Sequence, residues 1–425
     1  MVAAPQRLYR DMRHELDVGP CPRVSVFMAA LCVLLPFLLY AHSFADIAIS
    51  LVALGHLYIS VRTRDFAWAR QTWVVIALIF WSYAMVRGAL SNHPEVAGGH
   101  ALVWIRFIVF AAGLQVLALR APSLLKAMLG SFVAASLFGA ADTLFQFTVG
   151  RDIFGRPMLG ERLTGPLGSA AIGVLLLFAG LPLLALLFTR LRAPALSRKA
   201  VAVAGILLLS VAIFLTGERM TAILLAAALL VLLLVVARAS WRVNISLIGL
   251  SLIVAALIYA VFPQVLARHL SSIAVFTVPQ GDMYVLIWQA ALDVFKANPI
   301  VGIGVHTFRL DCPLYVPADL AEAACRSLHP HNLWLELLAE TGVTGTAILL
   351  VFFVAALKPA VDLWRVWPTE PLLAGAAIAV LLRLWPVASA KSFFVNQNEV
   401  LFWTTLAVAV AAASSYMSRT SSKLP

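Results

Sequence analysis

Two histidines sit where this chain is best placed to do chemistry, in His329-Pro330-His331-Asn332. That stretch closes the longest polar interruption of a membrane-like sequence. It opens directly into an apolar helical run that carries Glu340 and then Gly342-Val-Thr-Gly345. Imidazole has the side-chain pKa nearest neutrality, so histidines at the edge of a bilayer suit proton transfer. Arginine supplies a second chemistry. Arg151, Arg156 and Arg162 lie in one short loop, Arg219 lies in the tight turn Thr216-Gly217-Glu218-Arg219, and Arg268, Lys296, Arg309 and Arg326 lie in the longest loop. A planar guanidinium is suited to bidentate phosphate binding.

These residues must be positioned by membrane helices. The chain is 62% apolar and only 12% charged, with a mean hydropathy of +0.95, whereas soluble domains run near 25% charged. Apolar runs at 24–42, 43–61, 72–90, 101–119, 123–149, 167–189, 199–217, 220–237, 243–262, 333–357, 371–390 and 398–417 are each about the length that crosses the hydrocarbon layer as a helix. The expectation is an all-α polytopic membrane protein of about twelve transmembrane helices. Its parts would be an N-terminal tail at 1–23, nine helices over 24–262, one large loop with short helices at 263–332, three helices over 333–417 and a tail at 418–425. The first span reads as a retained helix and not a cleaved signal, since polar residues precede it and a bundle follows.

Lys and Arg accumulate in loops that stay in the cytoplasm. Arg7, Arg10, Arg13 and Arg23 at one end, and Arg419 and Lys423 at the other, place both termini there. Arg62, Arg64, Arg70, Arg120, Lys126, Arg190, Arg192, Arg198, Lys199, Arg238, Arg242, Lys358 and Arg365 fit the same assignment. The net charge of +11 reflects this topology, and a nucleic-acid partner is unnecessary to explain it. The loop at 150–167, the Arg219 turn and the long loop then carry their arginines on the outside, against the insertion bias. Either they pair with Asp152, Glu161, Glu218 and Asp282 or touch membrane lipid headgroups, or they bind an anionic, phosphate-bearing ligand. Arg219 has only a short turn between two apolar runs, and a charge so close to the membrane is a functional hypothesis by default. Cys312 and Cys325 share the outer loop, where an oxidising compartment favours a disulfide of ~3 kcal/mol. No CxxC pattern points to a metal.

Within the long loop, Gly281 to Asn298-Pro299 reads as an amphipathic helix with Trp288, Leu292 and Phe295 at helical spacing, and Gly302 and Gly304 make a turn. The order Trp288, Phe295, Asn298-Pro299-Ile300, Gly302, Gly304 and Phe308, then His329 and His331-Asn332 followed nine residues later by Gly342-x-x-Gly345, resembles the O-antigen ligase and polymerase superfamily of bacterial envelope glycosyltransferases. Arg162-Leu163-Thr164-Gly165, Gly217-Glu218-Arg219, and Trp385-Pro386 with Ser392-Phe393-Phe394 add to the likeness, which covers roughly 140–400.

The resemblance implies a GT-C-like, metal-independent, inverting transferase without a cofactor, working at the periplasmic face of the bacterial inner membrane. The donor would be O antigen on undecaprenyl pyrophosphate, and the acceptor a sugar hydroxyl of lipid A–core. His331 becomes the expected base, and Arg219, Arg162 and Arg268 the expected pyrophosphate ligands. His329, Asn332, Glu218 and Glu340 would support them. The plainer reading keeps His331 as a packing residue, with Asn332 capping the next helix; His93, His100 and His306 read as packing residues as well. Many relatives carry an arginine four or five residues before the tryptophan, where this chain has Met283 and Tyr284. The rivals are an O-antigen polymerase and a protein O-oligosaccharyltransferase. A transporter or lipid flippase would place polar residues deep in several spans and show inverted repeats. Arg106, Asp142 and Arg383 are the main such residues, with Lys391 close to a span exit.

Overall fold

A computed structural model describes residues 3–160, 162–238, 283–386 and 391–421, with scattered residues between 245 and 260. The expected span at 243–262 falls largely outside the described residues, and Arg268 and Glu161 fall wholly outside them. The first half comprises α1 (Ala3–Asp17), α2 (Pro22–Leu38), α3 (His42–Thr63), α4 (Thr72–Ala89), α5 (Pro94–Arg120), α6 (Ser123–Val149), α7 (Ile172–Arg190), α8 (Leu196–Leu215) and α9 (Arg219–Val231). Then come α10 (Met283–Ala297), the short α11 (Phe308–Asp311) and α12 (Ala318–Ala324), the long α13 (Leu333–Asp362), α14 (Pro371–Arg383) and α15 (Asn396–Ser421).

Among the described residues, nine helices are long and apolar enough to cross a membrane: α3 to α8, α9 with its continuation to Ala237, α13 and α15. α2 and α14 are apolar but shorter, at 17 and 13 residues. The protein is thus an all-helical, polytopic membrane protein. Between lipid-embedded helices there is no water to expel, so association depends on close packing of small residues. α14 accordingly buries Ala374, Ala376, Ala377 and Ala379 where it lies between α7 and α15. α15 sets a run from Ala407 to Ala413 against α5, whose Ala111 and Ala112 are also buried.

The N-terminal stretch expected as a polar tail is helical. α1 buries Met12 and Leu16, and its Glu15 carboxylate accepts hydrogen bonds from the Ser123 hydroxyl (2.5 Å) and amide (3.2 Å) at the start of α6. Its i, i+4 apolar stripe is narrow enough to vanish in an average over polar neighbours. α10 forms where expected but is rotated about its axis. Its inward face is Ile287, Ala290, Ala291 and Val294, while Leu292 stands exposed and Trp288 and Phe295 are half-buried. Alanines let α10 approach α13 and the disulfide that joins Cys312 to Cys325, whose Cα atoms are 5.6 Å apart. Bulkier side chains would hold them apart.

The loop after α10 meets α13 backbone to backbone. Ile303 N donates to Ala339 O (3.1 Å), Gly304 N to Glu340 O (2.9 Å), Val343 N to Pro299 O (2.9 Å) and Thr344 N to Ile300 O (3.2 Å). α13 can offer those groups only because Gly342 breaks its helical path, at φ 62 and ψ −172. A Cβ at Gly342 would overlap the Ile300 carbonyl, and one at Gly302 (φ +68) would overlap the Glu340 carbonyl. Gly342→Ala is therefore expected to cost on the order of 1–3 kcal/mol and to lower the thermal unfolding midpoint in detergent. An unchanged midpoint would mean that the crossing does not need glycine.

Candidate active site

Asn332 is the N-cap of α13. Its Oδ1 accepts from Trp334 N (3.0 Å) and Leu335 N (3.1 Å), satisfying two amides that a helix start leaves open. Its Nδ2 donates to Pro386 O (2.8 Å), and Trp334 Nε1 donates to Leu384 O (3.0 Å). The cap thus ties the start of α13 to the segment that leaves α14.

His331, one residue earlier, has φ +56. Few residues other than glycine take this left-handed conformation, and where one does the strain often marks a functional position. The Ser327 hydroxyl donates to His329 O (2.8 Å), and its oxygen lies 3.1 Å from His331 Nε2. The His329 ring, buried, lies 4.3 Å from the His331 ring between centroids, and the Tyr284 ring meets His331 edge-on at 5.6 Å. Tyr284, at one of the two positions where the resemblance leads one to expect arginine, packs against the histidine. Glu340, fully buried, accepts from His306 N (2.6 Å) and Phe308 N (3.1 Å) and so orients the glycine loop.

The arginine loop is built on polar residues of α6. Gln146 Oε1 accepts from Thr164 N (2.7 Å) and Gly165 N (2.9 Å), and Asp142 Oδ1 accepts from Ile153 N (2.7 Å). Asp152 spends its Oδ1 on the amides of Phe154 (3.0 Å) and Arg156 (2.7 Å). Among the described residues, no carboxylate lies within ion-pair distance of Arg151, Arg156 or Arg162. The side chains of all three are exposed.

Glu218 N-caps α9, accepts from the Thr221 hydroxyl (2.8 Å), and takes the Val174 amide at the start of α7. Burial pushes its carboxyl upward; those two hydrogen bonds and the Arg162 and Lys391 charges pull it back. Burial likewise lowers the Lys391 ammonium, Glu218 holds it up, and Arg383 lowers it again. Arg219, exposed, is the first residue of α9, where the helix dipole disfavours a cation. Arg162 and Lys391 lie close enough to Glu218 to act on its carboxyl, Arg219 adjoins it in the chain, and Asn332 and Trp334 are bonded to the segment that leaves α14. Among the described residues, no three His, Cys, Asp or Glu side chains are grouped to hold a metal ion.

Residues 203–350 match the protein-family model described as O-antigen ligase. That stretch of the chain is similar to the O-antigen ligase family. No curated protein matches the chain. The O-antigen ligase match runs from within α8 to within α13, so it takes in Glu218, Arg219, His331, Asn332 and Gly342 and leaves Arg162 and Lys391 to be supplied by the fold. Glu336 and Glu399 were passed over in the sequence, although both interrupt apolar runs. Glu336 accepts from the Ser392 hydroxyl and from Phe393 N (2.8 Å), and Glu399 pairs with Arg383 at 3.1 Å. Arg106, another charge within a span, pairs with Asp46 at 2.5 Å.

His306 is a buried-edge group whose titration is readable. Its ring lies 4.0 Å from that of His100 between centroids, and its pKa is pushed from 6.5 down to about 4 by burial and then by His100. A histidine held neutral in the fold contributes its stability fully above pH 6.5 and loses it as pH falls towards and through 4. His306→Asn keeps a residue that tolerates φ +61. The variant's unfolding midpoint is expected to fall less between pH 7 and pH 4 than the parent's, in parallel melts on purified protein. Parallel curves would remove His306 from the acid response.

Proposed function

We propose that this protein transfers an O-antigen glycan from undecaprenyl pyrophosphate to a sugar hydroxyl of the lipid A–core oligosaccharide. In this reading the work is done at the periplasmic face of the bacterial inner membrane by a GT-C-like fold of twelve spans, with both termini cytoplasmic. One observation carries it. His331, with its left-handed backbone, heads the kinked helix inside the stretch that matches the O-antigen ligase family, and Arg162 lies close enough to Glu218, the chain neighbour of Arg219, to act on its carboxyl.

The chemistry follows from the two substrates. The acceptor oxygen attacks the anomeric carbon from the face opposite the diphosphate, which inverts the configuration. Its proton goes to the His331 imidazole, since an alcohol of high pKa gains from a nearby base. The bond between the sugar and the phosphate oxygen breaks, and undecaprenyl pyrophosphate departs. That leaving group is already anionic, so it needs charge neutralisation more than protonation. Arg219 and Arg162 supply it, and Arg268 is a further candidate. The O-antigen polymerase uses the same donor and differs in extending a second lipid-linked chain.

His331→Ala is expected to leave protein level unchanged and to yield core-only lipopolysaccharide with accumulated polyprenyl-linked O antigen. Normal O-antigen banding would sink the base assignment, and single-repeat caps on the core would select the polymerase. Arg219→Lys keeps the charge and loses the bidentate fork. It should reduce transfer by about 10-fold or more if one charge-assisted hydrogen bond is lost. Full transfer in membranes carrying the lysine variant would argue against a bidentate contact.

A further inference from the structure

The C-terminal ends of α3 and α5 enclose a cavity that the transfer chemistry does not use. Its volume is about 230 Å³, and the turn Ala67–Arg70 forms one side of it. α5 is 27 residues long, so the cavity at its Arg120 end lies about 40 Å along the helix from its Pro94 end. Just before that other end, Asn92 Nδ2 donates to Asp311 Oδ1 (3.0 Å) in the long loop. The cavity therefore stands at the far end of α5 from the loop that leads to His331.

Its lining is built for a polar guest. His56 of α3 is only 4% exposed, lines the cavity, and has no hydrogen-bond partner for its Nε2. An unsatisfied buried polar group is costly, and a guest that meets the imidazole removes the cost. The ring is wedged in place: a Cβ at Gly113 of α5 would lie 2.9 Å from His56 Cβ, and the Trp68 ring sits 5.0 Å from the imidazole between centroids. Trp68 Nε1 is itself spent on Ser60 Oγ (3.0 Å). Asp65 and Arg120 also line the cavity, and among the described residues neither makes an ion pair. Asp65 gives Oδ1 to the Ala67 amide (3.0 Å), and Gln71 gives Oε1 to Trp73 Nε1 (2.9 Å). One cation and one anion on a single small cavity suit a ligand that is itself zwitterionic.

The position points to a lipid as the source of that zwitterion. Trp68 and the ends of two spans put the cavity at the depth where helices meet water, the level that tryptophan favours and headgroups occupy. Ile59, Val116 and Leu119 give it an apolar wall, and Leu119 is exposed. The volume is below the roughly 300 Å³ of the smallest drug-sized pockets, so it takes a headgroup and leaves acyl chains in the bilayer. We propose that this cavity binds the headgroup of an aminoethyl phospholipid, its ammonium on Asp65 and His56 and its phosphate on Arg120. A primary ammonium brings three N–H donors to the carboxylate and imidazole, and a phosphate matches the guanidinium fork. The bound lipid would brace α3, the Ala67–Arg70 turn and α5 against one another.

The test uses the full chain in nanodiscs holding phosphatidylethanolamine, phosphatidylglycerol and phosphatidylcholine in equal amounts. Native mass spectrometry then reads the lipid that stays on the released protein. One phosphatidylethanolamine per chain should be retained in preference to the other two. Asp65→Asn and Arg120→Gln should each lower that retention about 10-fold, the scale of one hydrogen bond to a charged group. Added phosphatidylethanolamine should also raise the parent's unfolding midpoint in detergent more than that of either variant. A preference for phosphatidylglycerol overturns the proposal, since it means that Arg62, Arg64 and Arg70, exposed and outside the cavity, select the lipid. Equal retention of the three lipids, or parent-like retention in both variants, overturns it as well and leaves the cavity to water. Displacement of the lipid by soluble glycerophosphoethanolamine at equal concentration would overturn the lipid assignment in favour of a free zwitterion. The parent's own lipid preference decides the matter if a substituted chain fails to fold.

Discussion

Everything on the chemical side of this molecule depends on one crossing of two backbones, residues 299–304 over the kink of α13. The four amide–carbonyl bonds across it take groups that a continuous helix would have kept for itself, and they require Gly302 and Gly342 to lie face to face. α4 closes the joint from the third side. Tyr83 donates to Thr341 O (2.7 Å) and Val301 O (3.0 Å), and Arg87 Nε donates to Gly302 O (2.9 Å). With the crossing in place the loop cannot slide along α13. His331 at its head and α10 beside it are then held to the membrane bundle.

A second constraint follows from the first. A loop seated on a membrane helix leaves backbone amides in a medium with little water, where each unsatisfied group is costly. The buried carboxylates answer that need. Glu340 takes the amides of His306 and Phe308, Glu336 takes the Phe393 amide and the Ser392 hydroxyl, and Asp142 takes the amide of Ile153. The acidic residues of the site region are thus largely occupied with architecture.

Much of this was legible in the residues. The histidine pair, the Arg162 loop and the Glu218–Arg219 turn were visible as polar residues at the edges of apolar runs. The spacing from Asn332 to Gly342 was visible as well, and the structure shows why it matters: one residue caps α13 and the other kinks it. Other features were hidden. The buried face of α10 depends on which side meets α13 and the disulfide, and its alanines carry little signal in a pattern dominated by Trp288 and Phe295. The helix at Ala3–Asp17 was obscured by its charges.

The sequence by itself determined that this chain lives in a membrane, about where its helices run, and which few polar residues interrupt them. Those properties are sums over neighbouring side chains, and a chain carries them before it folds. Only the tertiary structure decided which charges are used up and which remain for a ligand. Asp46 lies 60 residues from Arg106 and Glu336 lies 57 from Phe393; whether such groups meet is settled by packing between helices. Hydropathy is local and pairing is not, so the polar residues could be read from the sequence and their partners only from the fold.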